Sequence, residues 1–141
     1  MLALRNFALD TIPGDYPRNT NPTVDLEVLR TFDDLQLNDG SDLVVDLIDL
    51  FLKDAPERVA VMRELPAQRQ LIKQAAHSLR GSSGNLGAPR LASICEQIER
   101  IDWVGRGLES LLAKLELELA CVVSIFRAER KRRCDLTLAL G

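Results

Sequence analysis

Apolar residues recur at a helical spacing through most of this chain, and that pattern constrains its fold more than any other feature. The clearest stretch places Leu91, Ile94, Cys95, Ile98 and Ile101 at i, i+3, i+4, i+7 and i+10, which forms one apolar stripe on a helix. No stretch shows the apolar–polar alternation of a half-buried strand. Aromatic residues make up only 4% of the chain, which also favours packed aliphatic helices over a sheet.

Breaks in this pattern divide the chain into five predicted helices. Thr23 is the predicted N-cap of the first, and Asp54–Glu57 resembles a capping box at which the second kinks or restarts. In order, the predicted helices run from Val24 to the break at 38–40, from Ser41 to Pro66, over 67–83, from Pro89 to the glycines at 105 and 107, and over 108–130.

Short connections make long helices antiparallel neighbours. The sequence therefore predicts an all-α fold, an antiparallel up-and-down four-helix bundle with an additional N-terminal helix. We expect residues 1–22 to form a flexible tail or linker, 23–133 the bundle, and 134–141 a C-terminal tail. The basic run 127–133 is expected to be a fraying helix end that complements the helix dipole, with contact to an acidic partner as the alternative.

Composition and charge exclude several functions. The net charge of −3 provides no global positive field for binding nucleic acid. No apolar run approaches the ~18 residues that suggest a membrane span, and the N-terminus has no signal-peptide pattern, so we expect a soluble cytoplasmic protein. Three cysteines without a CxxC pair and a single histidine do not make a usual zinc site, and Cys95 and Cys121 are predicted core residues.

The chemistry of the chain is concentrated around His77, the only histidine in 141 residues. On a helix, Gln74, Arg80, Gly81 and Gly84 lie on the same stripe as His77. Glycine inside a helix costs roughly 1 kcal/mol relative to alanine, so two of them beside His77 indicate surface cleared for a partner. The alternatives are a merely solvated histidine and glycines that serve close helix packing.

Taken together, the residues from His77 onward resemble a known family, the histidine-containing phosphotransfer (HPt) domains. The family pattern is His-x-Leu-Lys-Gly-Ser-Ser, then Leu-Gly-Ala, then an amphipathic helix. The matching residues here are His77, Leu79, Arg80, Gly81, Ser82, Ser83, Leu86, Gly87, Ala88, Leu91, Ile94, Cys95, Ile98 and Glu99. Arg80 stands where lysine is usual, which keeps the charge but replaces a compact ammonium with a planar fork.

The resemblance implies a reversible relay of phosphoryl groups between aspartate and histidine. His77 would accept a phosphoryl group from the aspartate of a receiver domain, in a response regulator or hybrid sensor kinase, and pass it to another receiver. Arg80 would compensate the phosphoryl charge. Gly81, Gly84, Gln74, Asn85 and Arg90 are the candidate docking residues. This chain would bind no cofactor or metal of its own, and the receiver would supply Mg²⁺.

Several points remain open at the level of sequence. No Walker-type or kinase-type glycine-rich loop is visible, so the chain is expected to be a phosphoryl carrier and not an ATP-using enzyme. One alternative is a helical module that docks a receiver or kinase without carrying phosphate, and another is a purely structural bundle. Ser82 and Ser83 are expected to permit tight helix packing, with contact to phosphate as the alternative. Apolar residues between Leu29 and Leu37 are either a docking patch or core.

Overall fold

The computed structural model describes residues 22–33, 35, 42–65, 67–101 and 107–140. Within these ranges the chain forms helices and connecting turns, without strands. The helices are α1 (Leu26–Arg30), α2 (Leu43–Glu64), α3 (Arg69–Asn85), α4 (Pro89–Glu99) and α5 (Gly107–Leu140). Residues 1–21 of the predicted tail 1–22 lie outside the described residues.

The four long helices form the predicted antiparallel bundle, with α1 as the additional N-terminal helix. Each long helix packs against the next along the chain, and α5 closes the ring by packing against both α2 and α4. Their inward stripes form one aliphatic core, in which Phe51 and Phe126 meet edge to face with ring centroids 5.2 Å apart. The largest fully buried side chains are Phe126, Leu29, Ile48, Met62, Ile72, Leu79, Leu91, Ile98 and Leu115.

The helix starts show how local sequence sets the boundaries. Asp42 caps α2, accepting hydrogen bonds from the backbone N–H groups of Val44 and Val45. Pro89 occupies the first turn of α4, as predicted, because its missing N–H has no helical partner there. The predicted cap at Thr23 is wrong. Asp25 caps α1 instead, and α1 ends after five residues at Arg30.

Two further predictions about helix continuity are corrected. The predicted restart at Pro56 does not occur, since α2 is one helix of 22 residues that contains this proline. Proline lacks the N–H that would bond to the carbonyl of Leu52, and the packed stripe on both sides keeps the helix in one piece. Helix α5 continues to Leu140 instead of ending near Arg130, so residues 134–140 are helical.

Ion pairs hold the C-terminal part of α5 to the rest of the bundle. Arg133 is 8% exposed and pairs with Glu129 at 2.8 Å, Asp33 at 2.9 Å and Asp42 at 3.2 Å. Burial lowers the pKa of Arg133, but the hydrogen bonds to these three carboxylates outweigh it and leave the pKa above its usual value. The expected fraying of the basic run is therefore wrong at Arg133, because this residue binds carboxylates at the start of α2 and in the turn after α1.

Helix α1 packs on the turn between α3 and α4, which ties the N-terminal segment to the bundle. Gly87 has φ +81°, a conformation that glycine adopts without penalty, and its carbonyl accepts a 2.7 Å hydrogen bond from the Asp25 N–H. A Cβ at Gly87 would lie 2.6 Å from the Asp25 carbonyl and 2.9 Å from Cβ of Val28. Only glycine therefore permits this contact.

Candidate functional site

His77 lies in the middle of α3 with its side chain 68% exposed. Gly81 and Gly84 follow one and two turns later on the same stripe. A Cβ built on either glycine would meet nothing within 4 Å outside its own helix backbone. These glycines are therefore not packing glycines, and they leave an open surface beside the imidazole.

Glu99, at the end of α4, contacts both His77 and Arg80. Its Oε2 atom is 2.9 Å from Nδ1 of His77, and its Oε1 atom is 3.1 Å from Nη1 of Arg80. The Glu99 side chain is only 18% exposed, so its carboxylate is fixed against the helix pair. One acidic residue thus joins the imidazole and the neighbouring guanidinium into a single polar group.

Glu99 had no predicted role, although it belongs to the matching signature. The structural signal was present in the sequence, because His77 and Glu99 are each eleven residues from Ala88, in the turn between α3 and α4. In an antiparallel helical hairpin, residues equally distant from the turn lie at the same height. What the sequence could not supply is the rotation of each helix about its axis.

The contact with Glu99 determines the hydrogen-bonding state of the imidazole. An ionised carboxylate only accepts hydrogen bonds, so Nδ1 of His77 must donate and must carry a proton. In the neutral ring this leaves a lone pair on Nε2. His77 can therefore act as a nucleophile through Nε2.

An apolar groove of about 350 Å³ runs between α2 and α3 on the adjoining face of α3. Ser78, Ser82 and Asn85 line it from α3, each one position after a residue of the His77 stripe. Its apolar wall is formed by Phe32, Leu47, Leu50 and Phe51. His77 therefore lies at the edge of a concave apolar surface.

The predicted docking residues fall in different places. Gln74 is exposed one turn before His77 and lines a second groove with Asp54 and Arg58 of α2. Asn85 lies in the apolar groove, two turns beyond His77. The described contacts of Arg90 lie away from His77. Arg90 pairs with the buried Glu118 of α5 at 3.1 Å and donates a hydrogen bond to Thr23.

The two serines of the signature differ in their environment. Ser83 is fully buried, as expected for a packing residue. Ser82 is exposed and its hydroxyl bonds back to the carbonyls of Ser78 and Leu79, so its expected packing role is wrong.

The suggested patch from Leu29 to Leu37 divides in the same way. Leu29 is fully buried, which makes it a core residue. Phe32 lines the groove and Leu35 is exposed. Leu37 lies outside the described residues.

The cysteines also separate into core and surface. Cys95 is fully buried one turn before Glu99. Burial raises the pKa of its thiol to about 12, with a further contribution from the Glu99 carboxylate, so it remains a protonated thiol. Cys121 is exposed, and its predicted place in the core is wrong.

The described residues lack two other kinds of feature. No helix in the described ranges is long and apolar enough to cross a membrane. The same residues contain no group of three or more His, Cys, Asp or Glu side chains placed to hold a metal ion.

Comparison with known proteins decides the family. A model of the Hpt domain matches residues 46–125, which is more than half of the chain and includes His77 and Glu99. The chain belongs to the Hpt domain family.

Individual relatives of this Hpt domain agree in sequence and in fold. The phosphorelay protein LuxU of Vibrio harveyi is 35% identical over 75 residues, covering 52% of this chain and 63% of LuxU. The chain thus matches less than two thirds of that relative's length. The crystal structure of histidine-containing phosphotransfer protein B (HptB) from Pseudomonas aeruginosa PAO1 superposes with a TM-score of 0.70 at 29% identity. That match covers 80% of this chain and 98% of HptB.

Proposed function

We propose that this Hpt domain is a phosphoryl carrier in a two-component phosphorelay, with His77 as the phosphoacceptor. The observation that carries the proposal is the exposed His77, with Nδ1 bound to Glu99 and open glycine surface beside it. Such an imidazole presents the Nε2 lone pair to a large partner. A receiver aspartyl phosphate would donate the phosphoryl group, and a second receiver aspartate would take it.

Arg80 is proposed to compensate charge on the phosphoryl group. Its guanidinium lies 3.1 Å from Oε1 of Glu99, the carboxylate that also contacts His77. A planar guanidinium can donate two parallel hydrogen bonds to phosphoryl oxygens. In-line transfer also needs a divalent cation to neutralise the equatorial oxygens, and the receiver is proposed to bring that Mg²⁺.

The proposed docking face combines the open glycine surface with the apolar groove. Gly81 and Gly84 allow the receiver's active site to approach His77 closely, while Leu47, Leu50 and Phe32 offer apolar area at the side. Gln74 and Asn85 lie at either end of this face. Arg90 has weaker support as a docking residue, because Glu118 and Thr23 engage it elsewhere.

The proposal makes the protein a carrier and not a kinase. Its relatives bear the names of a phosphorelay protein and a histidine-containing phosphotransfer protein. Chemistry at His77 then consists only of receiving and returning a phosphoryl group, so the high-energy bond must come from a phosphorylated partner.

The test is transfer from a phosphorylated receiver domain in the presence of Mg²⁺, comparing the wild type with His77→Gln. We expect a phosphate on the wild type alone, labile in acid and stable in base. Label that persists on His77→Gln would refute the assignment of His77. If a panel of phosphorylated receivers labels neither protein, the chain is a docking module without phosphate chemistry.

A further inference from the structure

The outer face of α5 carries a line of uncharged residues where a surface helix normally carries charged ones. The line follows the helical spacing i, i+3, i+7, i+11, i+14 and i+18, and every residue in it is exposed. These residues, the outer α5 face, are Ser110, Ala113, Leu117, Cys121, Ser124 and Ala128. The opposite side of the helix supplies the core residues Leu115, Leu119 and Phe126, so this face points away from the bundle.

The outer α5 face has relief as well as apolar character. Leu117 lies at its centre and is 73% exposed. Together with Cys121 it borders a groove of about 460 Å³ between α4 and α5. The buried Glu118 also lines this groove, and its Oε2 atom has no hydrogen-bond partner among the described residues. A projecting leucine beside a groove is the kind of surface that packs against another helix.

The charges along one flank of this face are complementary. Glu109 and Glu116, in the N-terminal half of α5, both pair with Arg63 of α2 at 2.6 Å. Two carboxylates and one guanidinium leave this group with a net charge of −1. Arg127 lies on the same flank, since separations of 11 and 18 residues return to the same side of a helix. It is exposed, and none of the described residues forms an ion pair or hydrogen bond with it.

A second copy of the chain, with its α5 antiparallel to the first, fits the shape of this face. When the two helices are centred level with Leu119, Leu117 of each copy lies level with Cys121 of the other. A large side chain then meets a smaller one at two symmetric positions. A parallel pair would instead place Leu117 against Leu117.

The same register satisfies the charges. Arg127 of each copy lies at a height between Glu109 and Glu116 of the other. Equivalent flanks face each other in an antiparallel helix pair, so each unpaired guanidinium meets the group with a net charge of −1. In a parallel pair, Arg127 would instead lie level with its own copy. Charge therefore favours the antiparallel arrangement.

We propose that the outer α5 face is the interface of a homodimer in which two copies pair antiparallel through α5. The line of residues is only about 27 Å long, so the interface is small. We expect reversible association with a dissociation constant of about 10–100 µM. Helix α3 packs on α2 and α4, as α5 does from the other side, so both copies of His77 remain accessible. The inference goes beyond the proposed function and does not depend on it.

The first test is sedimentation velocity of the full chain between about 5 and 500 µM. The wild type should shift from monomer to dimer over this range. Leu117→Glu should associate at least about 100-fold more weakly, because it buries two unpaired charges. The matched control is Leu138→Glu. Leu138 is 79% exposed on the same helix but lies beyond the paired region, so this variant should behave as the wild type does. Circular dichroism checks that each variant is folded.

Two further variants test the charge pairing and the orientation. Arg127→Glu should weaken association about tenfold at low salt and less in about 1 M salt, where exposed charges are screened. In a Cys134→Ser background, Leu117→Cys should give a covalent dimer on oxidation. Adding Cys121→Ser should abolish this product, because the antiparallel register joins position 117 to Cys121 of the other copy. A parallel pair would not need Cys121.

A wild type that stays monomeric up to about 500 µM would overturn the inference. A dimer that Leu117→Glu leaves intact, or that Leu138→Glu abolishes, would also overturn it, because the interface would then lie elsewhere. None of these outcomes affects the proposed function, which is tested by phosphoryl transfer to His77. The two failures are therefore distinguishable.

Discussion

Replacing Gly81 with alanine should stabilise the fold and slow phosphoryl transfer from a receiver. The glycine lies inside α3, and a Cβ there meets nothing within 4 Å, so the methyl group adds no strain. Alanine is favoured over glycine in a helix interior by about 1 kcal/mol. For a domain of this size that corresponds to a rise in melting temperature of about 3–4 °C.

The same methyl group should obstruct the partner. It would project from the stripe of His77, one turn away, into the space proposed for the receiver's active site. A displacement of about 1 Å from the reacting geometry can cost about 100-fold in rate. We therefore expect transfer from a phosphorylated receiver to fall about 10- to 100-fold in Gly81→Ala.

Phosphoramidate provides the internal control, because a donor this small needs no docking surface. Its rate of phosphorylating His77 should be the same in Gly81→Ala and the wild type. Thermal unfolding followed by circular dichroism gives the stability change. A variant that is less stable, or that accepts phosphoryl groups from the receiver at the wild-type rate, would refute the reasoning about the open glycine surface.

Three other predictions concern the bundle. Arg133→Met should destabilise the fold by about 3 kcal/mol, because it leaves the buried Glu129 without this partner. Chemical denaturation measures the change in the free energy of unfolding, and an unchanged denaturation midpoint would contradict the anchoring role of Arg133. The hydrogen bond from Arg132 holds the pKa of Glu129 below its ordinary value of 4.5. The ionised Glu129 carboxylate therefore stabilises the fold above pH 4.5, and this contribution is lost as the pH falls through the lowered pKa. Glu129→Gln should therefore cost about 2 kcal/mol at pH 7 and progressively less as the pH falls below 4.5, and a loss that does not change with pH would exclude this linkage. A thiol reagent should label Cys121 in the folded protein but Cys95 only after unfolding, which mass spectrometry of the labelled peptides can check.

Much of the fold was readable from periodicity because the helices are strongly amphipathic. The stripe from Leu91 to Ile98 fixed both the existence of α4 and its buried side. Errors occurred where contacts distant in sequence decide the outcome. The C-terminal part of α5 is ordered by carboxylates about 90 to 100 residues away, and no local pattern can reveal such partners. Cys121 was misplaced because a step of one residue, about 100° of rotation, separates it from the fully buried Val122.

The sequence by itself predicted the bundle and identified His77 as the candidate nucleophile. A single histidine left one candidate for imidazole chemistry, and the spacing of Gly81 and Gly84 placed open surface on its stripe. Only the tertiary structure decided which group controls that imidazole. Glu99 meets His77 because α3 and α4 pack antiparallel at one particular rotation, and helix rotation is set by the packing of the whole core, not by either helix alone.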